Sequence, residues 1–239
     1  MTQYTRKESA DFEKVREGLT FLFGLCQLGM TWPRTISTNR LKGAQIAVYN
    51  IIKEALEQYE LALGLDCRIN AYPNYTKEYQ SHDAYKSTVT LGLGIFADVL
   101  SMDLDLGAFR DEIALKSVLF EVLDRIDKVF HQKCKPAILW SGGGYHIYQP
   151  IQLSGPSWCL AHTDLFHELG GKEVDRIFLQ WAEVFVTNGH ADPQHSKGLS
   201  FNNCLMRVPG SINTKRSCPP GKEEVRIIQC WDGKRPYVN

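Results

Sequence analysis

Asp103 and Asp105 stand in the segment MDLDL, spaced by Leu104 and flanked by Met102 and Leu106. On a β-strand, residues two apart point to the same face, so both carboxylates project together while the apolar side chains pack behind them. Neighbouring acids repel unless a cation lies between them. An oxygen-only pair suits Mg2+ or Mn2+, which keep several waters and take further ligands from substrate phosphates. A polar strand face open to solvent is the alternative reading of the same five residues.

A second set of residues lies in AILWSGGGYHIYQPI, Ala137 to Ile151. Hydrophobic runs on each side read as two strands, and Gly142, Gly143 and Gly144 supply a tight connection that admits positive φ. Alternation along the strands can bring Ser141 and His146 to one face beside the glycine backbone. A hydroxyl, an imidazole and backbone N–H groups in one place suit an anion, particularly a phosphate. His146 as a packed structural histidine is the other reading.

The third set runs from His190 to Lys215, HADPQHSKGLSFNNCLMRVPGSINTK. Asp192 precedes Pro193, where a turn can hold a carboxylate. Arg207, Asn213 and Lys215 lie in and after a strand pattern with the turn PGS inside it. A carboxylate, a guanidinium and an ammonium are the parts needed to complete a metal site and grip a polyphosphate; a surface loop leading to a basic edge strand has the same composition. His190, Asp192 and His195 form a rival mononuclear metal set. Cys159, His162 and His167 have spacings compatible with a structural zinc but lack a fourth ligand. GLGIFA, Gly92 to Ala97, fits a dinucleotide fingerprint yet leaves no room for the helix such a site requires, and GGKE at Gly170 lacks the offsets of a phosphate loop.

The elements that must position these residues alternate irregularly. Helical spacing covers Ser9 to Leu28, Asn39 to Leu63, Arg110 to His131, Ser157 to Leu169 and Lys172 to Thr187. Strand patterns cover CRINAYP (Cys67 to Pro73), the second half of FADVLSMDLDL (Phe96 to Leu106), the glycine hairpin, CLMRVPGSINTK and EVRIIQCW. NYTKEYQSHDAYKST reads as a long polar loop. This order lacks a regular strand–helix–strand rhythm and predicts an α/β (α+β) protein rather than a doubly wound parallel sheet. At 239 residues, with 44% hydrophobic and 23% charged residues, the chain can bury one substantial core or two small ones. Its formal net charge is zero, so bulk charge gives no reason to expect nucleic acid, although Arg207 to Asn239 holds seven Lys/Arg against three Asp/Glu. The seven cysteines form no CxxC pair and their odd number argues against a full disulfide framework. No signal pattern opens the chain and no apolar run approaches a membrane span, so a cytoplasmic, intracellular protein with no membrane partner is expected.

In order and character, the DLD strand, SGGGYHIY on a hairpin, and AD ahead of MRVPGSINTK resemble the archaeo-eukaryotic primase superfamily, especially the primase-polymerase branch of plasmids, viruses and mobile elements. The resemblance covers roughly Cys67 to Lys215, and RVPGSINTK is its most specific part. It implies a catalytic fold in which a mixed, RRM-like β-sheet bears the active site between flanking helices. An N-terminal helical region, 1–66, would pack on a catalytic core, 67–239, or the two would form one continuous domain. By position, Asp103, Asp105 and Asp192 would hold two Mg2+ or Mn2+ ions. His146, with Ser141 and the backbone of Gly143 and Gly144, would contact the triphosphate of an incoming nucleotide, joined by Arg207, Lys215 and Asn213. The implied activity is template-directed synthesis and extension of primers from NTPs or dNTPs in DNA replication. Its partners would be single-stranded DNA template and primer, with a helicase or helix-bundle domain in a longer chain. The zinc-binding insertion common in that family is represented only by the incomplete Cys159, His162, His167 set. Two other functions fit the same residues: a metal-dependent nuclease or phosphodiesterase using Asp103, Asp105, His190 and Asp192, and a non-catalytic module that binds single-stranded DNA or nucleotide.

Overall fold

The computed structural model describes residues 10–25, 34–38, 44–46, 51–62, 64–72, 99–153, 178–191, 204–215 and 217–238. Helix α1 (Phe12–Leu25) buries Val15, Leu19 and Leu22 along one stripe, the spacing that an amphipathic helix requires. Helix α2 (Ile51–Ala62) meets it through Tyr59, which is buried and stacks on Phe12 with ring centroids 6.2 Å apart. Of the helix expected over Asn39 to Leu63, the described part is helical over Ile51–Ala62, whereas Ala44–Ile46 is a strand. Before α2, strands β1 (Arg34–Thr38) and β2 (Ala44–Ile46) pair antiparallel, and β1 also pairs with β3 (Cys67–Asn70), setting buried Ile36 opposite Ile69. Cross-strand packing here overrides a local helical spacing, as is common where short β-branched segments meet a core.

β3 continues to β8 (Leu205–Arg207), completing a four-stranded sheet of order β2-β1-β3-β8. Strands on both sides of residue 66 therefore belong to one sheet. A second four-stranded sheet has the order β4-β6-β5-β9, from β4 (Val99–Asp105), β5 (Ala137–Trp140), β6 (Gly144–Pro150) and β9 (Arg226–Gln229). Every pairing in both sheets is antiparallel. The parallel pairing among the described residues is between β7 (Gln152–Leu153) and β10 (Tyr237–Val238). The sheet that bears Asp103 and Asp105 is thus antiparallel throughout and not the mixed sheet that the resemblance implied; the β5–β6 reversal is a hairpin, which imposes antiparallel pairing there.

Helix α3 (Glu112–Val129) crosses from β4 to β5. Its first turn is capped by Asp111, whose carboxylate accepts from the Ala114 amide at 2.8 Å, and it buries Leu115, Leu119, Val122 and Ile126. A further helical segment covers 178–186, π-helical over Trp181–Val186. None of the helices among the described residues is long and apolar enough to cross a membrane. The polar segment 74–88, GLGIFA, the helix expected over Ser157 to Leu169 and the Cys159, His162, His167 set lie outside the described residues.

RVPGSINTK joins the two sheets. The Val208 amide donates to Cys67 O at 3.0 Å and that of Ile212 to Leu65 O at 2.8 Å, holding the segment to the start of β3. On its other side the Gly210 amide donates to Val225 O at 2.8 Å and the Val225 amide donates to Ser211 O at 2.9 Å, tying the segment to the residues that lead into β9. Gly210 has φ +84°, and a Cβ there would overlap Lys14 of α1. The Tyr72 hydroxyl, just beyond β3, donates to Val99 O at 2.7 Å and so fixes the entry to β4.

Candidate functional site

β4 and β6 place the two aspartates. Asp103 lies opposite His146 and Asp105 opposite Gly144. The Leu106 amide donates to Gly143 O at 2.8 Å in the same register, so 106/143 and 104/145 are hydrogen-bonded pairs and 103/146 is a non-hydrogen-bonded pair. In such pairs the side chains approach most closely. His146 Nε2 lies 3.5 Å from Asp103 Oδ1, and its Nδ1 lies 3.0 Å from the Tyr148 hydroxyl. Met102 and Leu104, on the opposite face, are fully buried. Asp105 has a local duty as well: its Oδ1 accepts from the Gly107 amide at 2.9 Å, capping the 3-10 turn Leu106–Ala108.

Of the three consecutive glycines, Gly142 takes positive φ, +88°, and a Cβ there would sit 2.7 Å from Asn213 Cβ. Gly144 is needed for a different reason: its Cβ position is 2.0 Å from Leu104 O, so any side chain would push β6 off β4. Ser141 hydrogen-bonds within the turn, its hydroxyl donating to Gly144 O at 3.2 Å. The Asn213 amide spans the cleft floor, donating from Nδ2 to Ser141 O at 2.8 Å and accepting at Oδ1 from the Lys215 amide at 3.0 Å. Asn213 thus ties the glycine turn to the loop that carries Lys215.

The facing wall comes from the other sheet. Arg68 of β3 and Arg207 of β8 are directly opposed. Hydrogen-bonded pairs at Ala71/Cys204 and Cys67/Val208 flank them, so theirs is also a close, non-hydrogen-bonded pair. Asp66 holds both guanidinium groups: Oδ2 lies 2.6 Å from Arg68 Nη2, and Oδ1 lies 2.9 Å from Arg207 Nη1. The side chains of Asp66 and Arg207 are 7% and 5% exposed, whereas that of Arg68 is 31% exposed and reaches the cleft. Burial, and after it the nearby charge of Arg68, pulls the Arg207 pKa below its ordinary value. Two cations sharing one buried carboxylate leave an excess of positive charge on this wall.

Between the walls is a cleft of about 240 Å³. It is lined by Asp103, Asp105, Ser141, Gly143, His146, Arg207, Asn213 and Lys215, all of which the sequence singled out. Gly144 supports the cleft through its backbone packing instead of lining it. Asp192 and His195 lie outside the described residues. His190 turns to helix α3, with Nε2 3.4 Å from Glu121 Oε2, away from the aspartate pair. Arg68, Leu205 and Ser217 also line the cleft, and Asp66 and Tyr148 hold its side chains in place. The sequence carried one sign of Arg68, a charge inside the apolar alternation of CRINAYP, and none that pointed to Asp66.

No group of three acidic, histidine or cysteine side chains suited to a metal occurs among the described residues. The donors present fit a hard divalent cation that keeps part of its water or takes phosphate oxygens: two carboxylates on one strand face, at the edge of a polar cleft. No protein-family model matches this chain, and no curated protein gives a match to it. Fold and site together define an α+β protein with two antiparallel sheets and a cleft between them, acidic on one wall and basic on the other.

Proposed function

We propose that this chain is a nucleotidyltransferase of the primase-polymerase kind, adding NTP or dNTP units to a primer or initiating nucleotide on single-stranded DNA. The observation that carries this reading is the division of charge across one cleft, with Asp103 and Asp105 on β4 facing Arg68 and Arg207 on the neighbouring sheet and Lys215 beside them. A polyphosphate chelating a divalent ion has that same division, since its metal end needs carboxylates and its free oxygens need donors. Asp103 and Asp105, with Asp192 as the third carboxylate, would hold Mg2+ or Mn2+. When bound, such ions supply the Lewis acidity that activates a 3′-hydroxyl and offsets charge on the phosphates. Arg207, Arg68 and Lys215 bind and orient the phosphates, His146 adds a hydrogen bond, and the glycine turn lets backbone approach closely. Positioning and fixed charge, rather than covalent chemistry, are what these residues contribute.

Unprimed single-stranded DNA incubated with labelled NTPs and dNTPs, separately and together, tests the assignment. New oligonucleotides are expected with Mg2+ or Mn2+ and are lost in folded Asp103→Ala and Asp105→Ala proteins. Shortening of the DNA would establish a nuclease instead, and binding without synthesis under every metal and template would establish a non-catalytic module.

A further inference from the structure

Tyr148 is wholly buried, yet its hydroxyl lies 3.0 Å from His146 Nδ1. Sequence gives it the look of one more core aromatic in HIYQP. The other ring nitrogen of His146, Nε2, lies 3.5 Å from Asp103 Oδ1. An ionised carboxylate can only accept, so the imidazole proton is placed on Nε2, and the phenol gives its own proton to Nδ1. The reverse arrangement, with Nδ1–H donating to the phenol, would set an unprotonated Nε2 against the carboxylate oxygen. Burial also raises the Tyr148 pKa well above its ordinary value and keeps the phenol protonated, hence a donor.

We propose that Tyr148 is a positioning residue for His146: its phenol donates to Nδ1, the imidazole proton is confined to Nε2, and the ring presents an N–H donor to Asp103 and the cleft. A histidine ring nitrogen is set by the bond that the other nitrogen makes. Here that bond comes from Tyr148, two residues along the same strand as His146, while Asp103 of β4 faces the other ring nitrogen. The consequence for phosphate binding rests on the nucleotidyl-transfer reading; the tautomer itself does not.

Histidine-selective 15N labelling and long-range 1H–15N correlation spectra in alkaline buffer read the tautomer directly, with His146→Gln used to assign the signals. The expected wild-type spectrum has the proton on Nε2 and an unprotonated Nδ1, and Tyr148→Phe moves the signals toward a mixture of the two neutral forms. A proton on Nδ1 in the wild-type protein, whether alone or on both nitrogens, would overturn the proposal even if Tyr148→Phe failed to fold. An unaltered His146 spectrum in folded Tyr148→Phe would overturn it too. If nucleotide is a substrate, Tyr148→Phe raises its KM roughly 5- to 20-fold with a smaller change in kcat, the range expected for a misplaced charge-assisted hydrogen bond. A protein that makes no primers but has the expected spectra would remove the functional reading and leave the tautomer assignment standing.

Discussion

Asp66→Ala removes the carboxylate that Arg68 and Arg207 share. The guanidinium of Arg207 is nearly enclosed, and its Nη1 bond to Asp66 is 2.9 Å long. Deleting one partner of a buried pair leaves the other charge uncompensated, at a cost of about 3–5 kcal/mol. Arg68 adds little to this sum, because its more exposed head can turn toward water. In a domain of this size each kcal/mol shifts Tm by about 2–4 °C, so Asp66→Ala is expected to lower Tm by roughly 6–20 °C. Chemical denaturation should show the loss in the midpoint with an unchanged m-value, since the fold and the surface it buries stay the same. A double variant, Asp66→Ala with Arg207→Met, removes the stranded charge and should recover part of the loss, with a coupling of about 0.5–3 kcal/mol. A Tm drop below about 2 °C for Asp66→Ala, or strict additivity in the double variant, would refute the view that this carboxylate holds the basic wall together.

Other consequences are simpler to test. Gly144→Ala should disrupt the β4–β6 register, seen as loss of cooperative unfolding, and Gly142→Ala, which meets Asn213 Cβ at 2.7 Å and the Glu223 backbone oxygen at 2.9 Å as well as a positive φ, should lower Tm by separating the glycine turn from the loop that carries Asn213. Asp105→Ala should be less stable than Asp103→Ala by about 1 kcal/mol in denaturant titrations, because Asp105 alone caps the turn at Gly107. Asp111 has its pKa held below the usual 3.8, first by the Ala114 amide and then by Arg110. Its contribution is therefore present above the unfolded-state value and lost as pH falls through the native one, so the Tm gap between wild type and Asp111→Ala should close on acidification. Burial pushes the Cys204 thiol up to about 12 and that of Cys67 higher still, while Cys230 is exposed; a thiol reagent should modify Cys230 quickly and reach Cys67 and Cys204 only on unfolding.

Much of the site was legible in local pattern because local geometry produces it. Alternation along MDLDL is enough to put Asp103 and Asp105 on one face and their apolar neighbours on the other, and a triple glycine is enough to announce a turn with positive φ. The apolar stripe of helix α3 predicted its burial in the same way. Local pattern misled at Ala44–Ile46, where strand pairing with β1 prevailed over helical spacing. It was silent about which distant residues complete the cleft, since Asp66 and Arg207 are 141 positions apart.

By itself, then, the sequence determined the acidic strand face, the glycine turn and the basic character of the segment around Arg207, because each follows from dihedral preference and periodicity within a few residues. Tertiary structure alone decided that these features meet across two sheets, that Arg68 stands opposite Arg207 with one carboxylate between them, and that Tyr148 and Asp103 meet the two ring nitrogens of His146. Those relations depend on strand register and on which sheet edges pack together, and no local spacing encodes either.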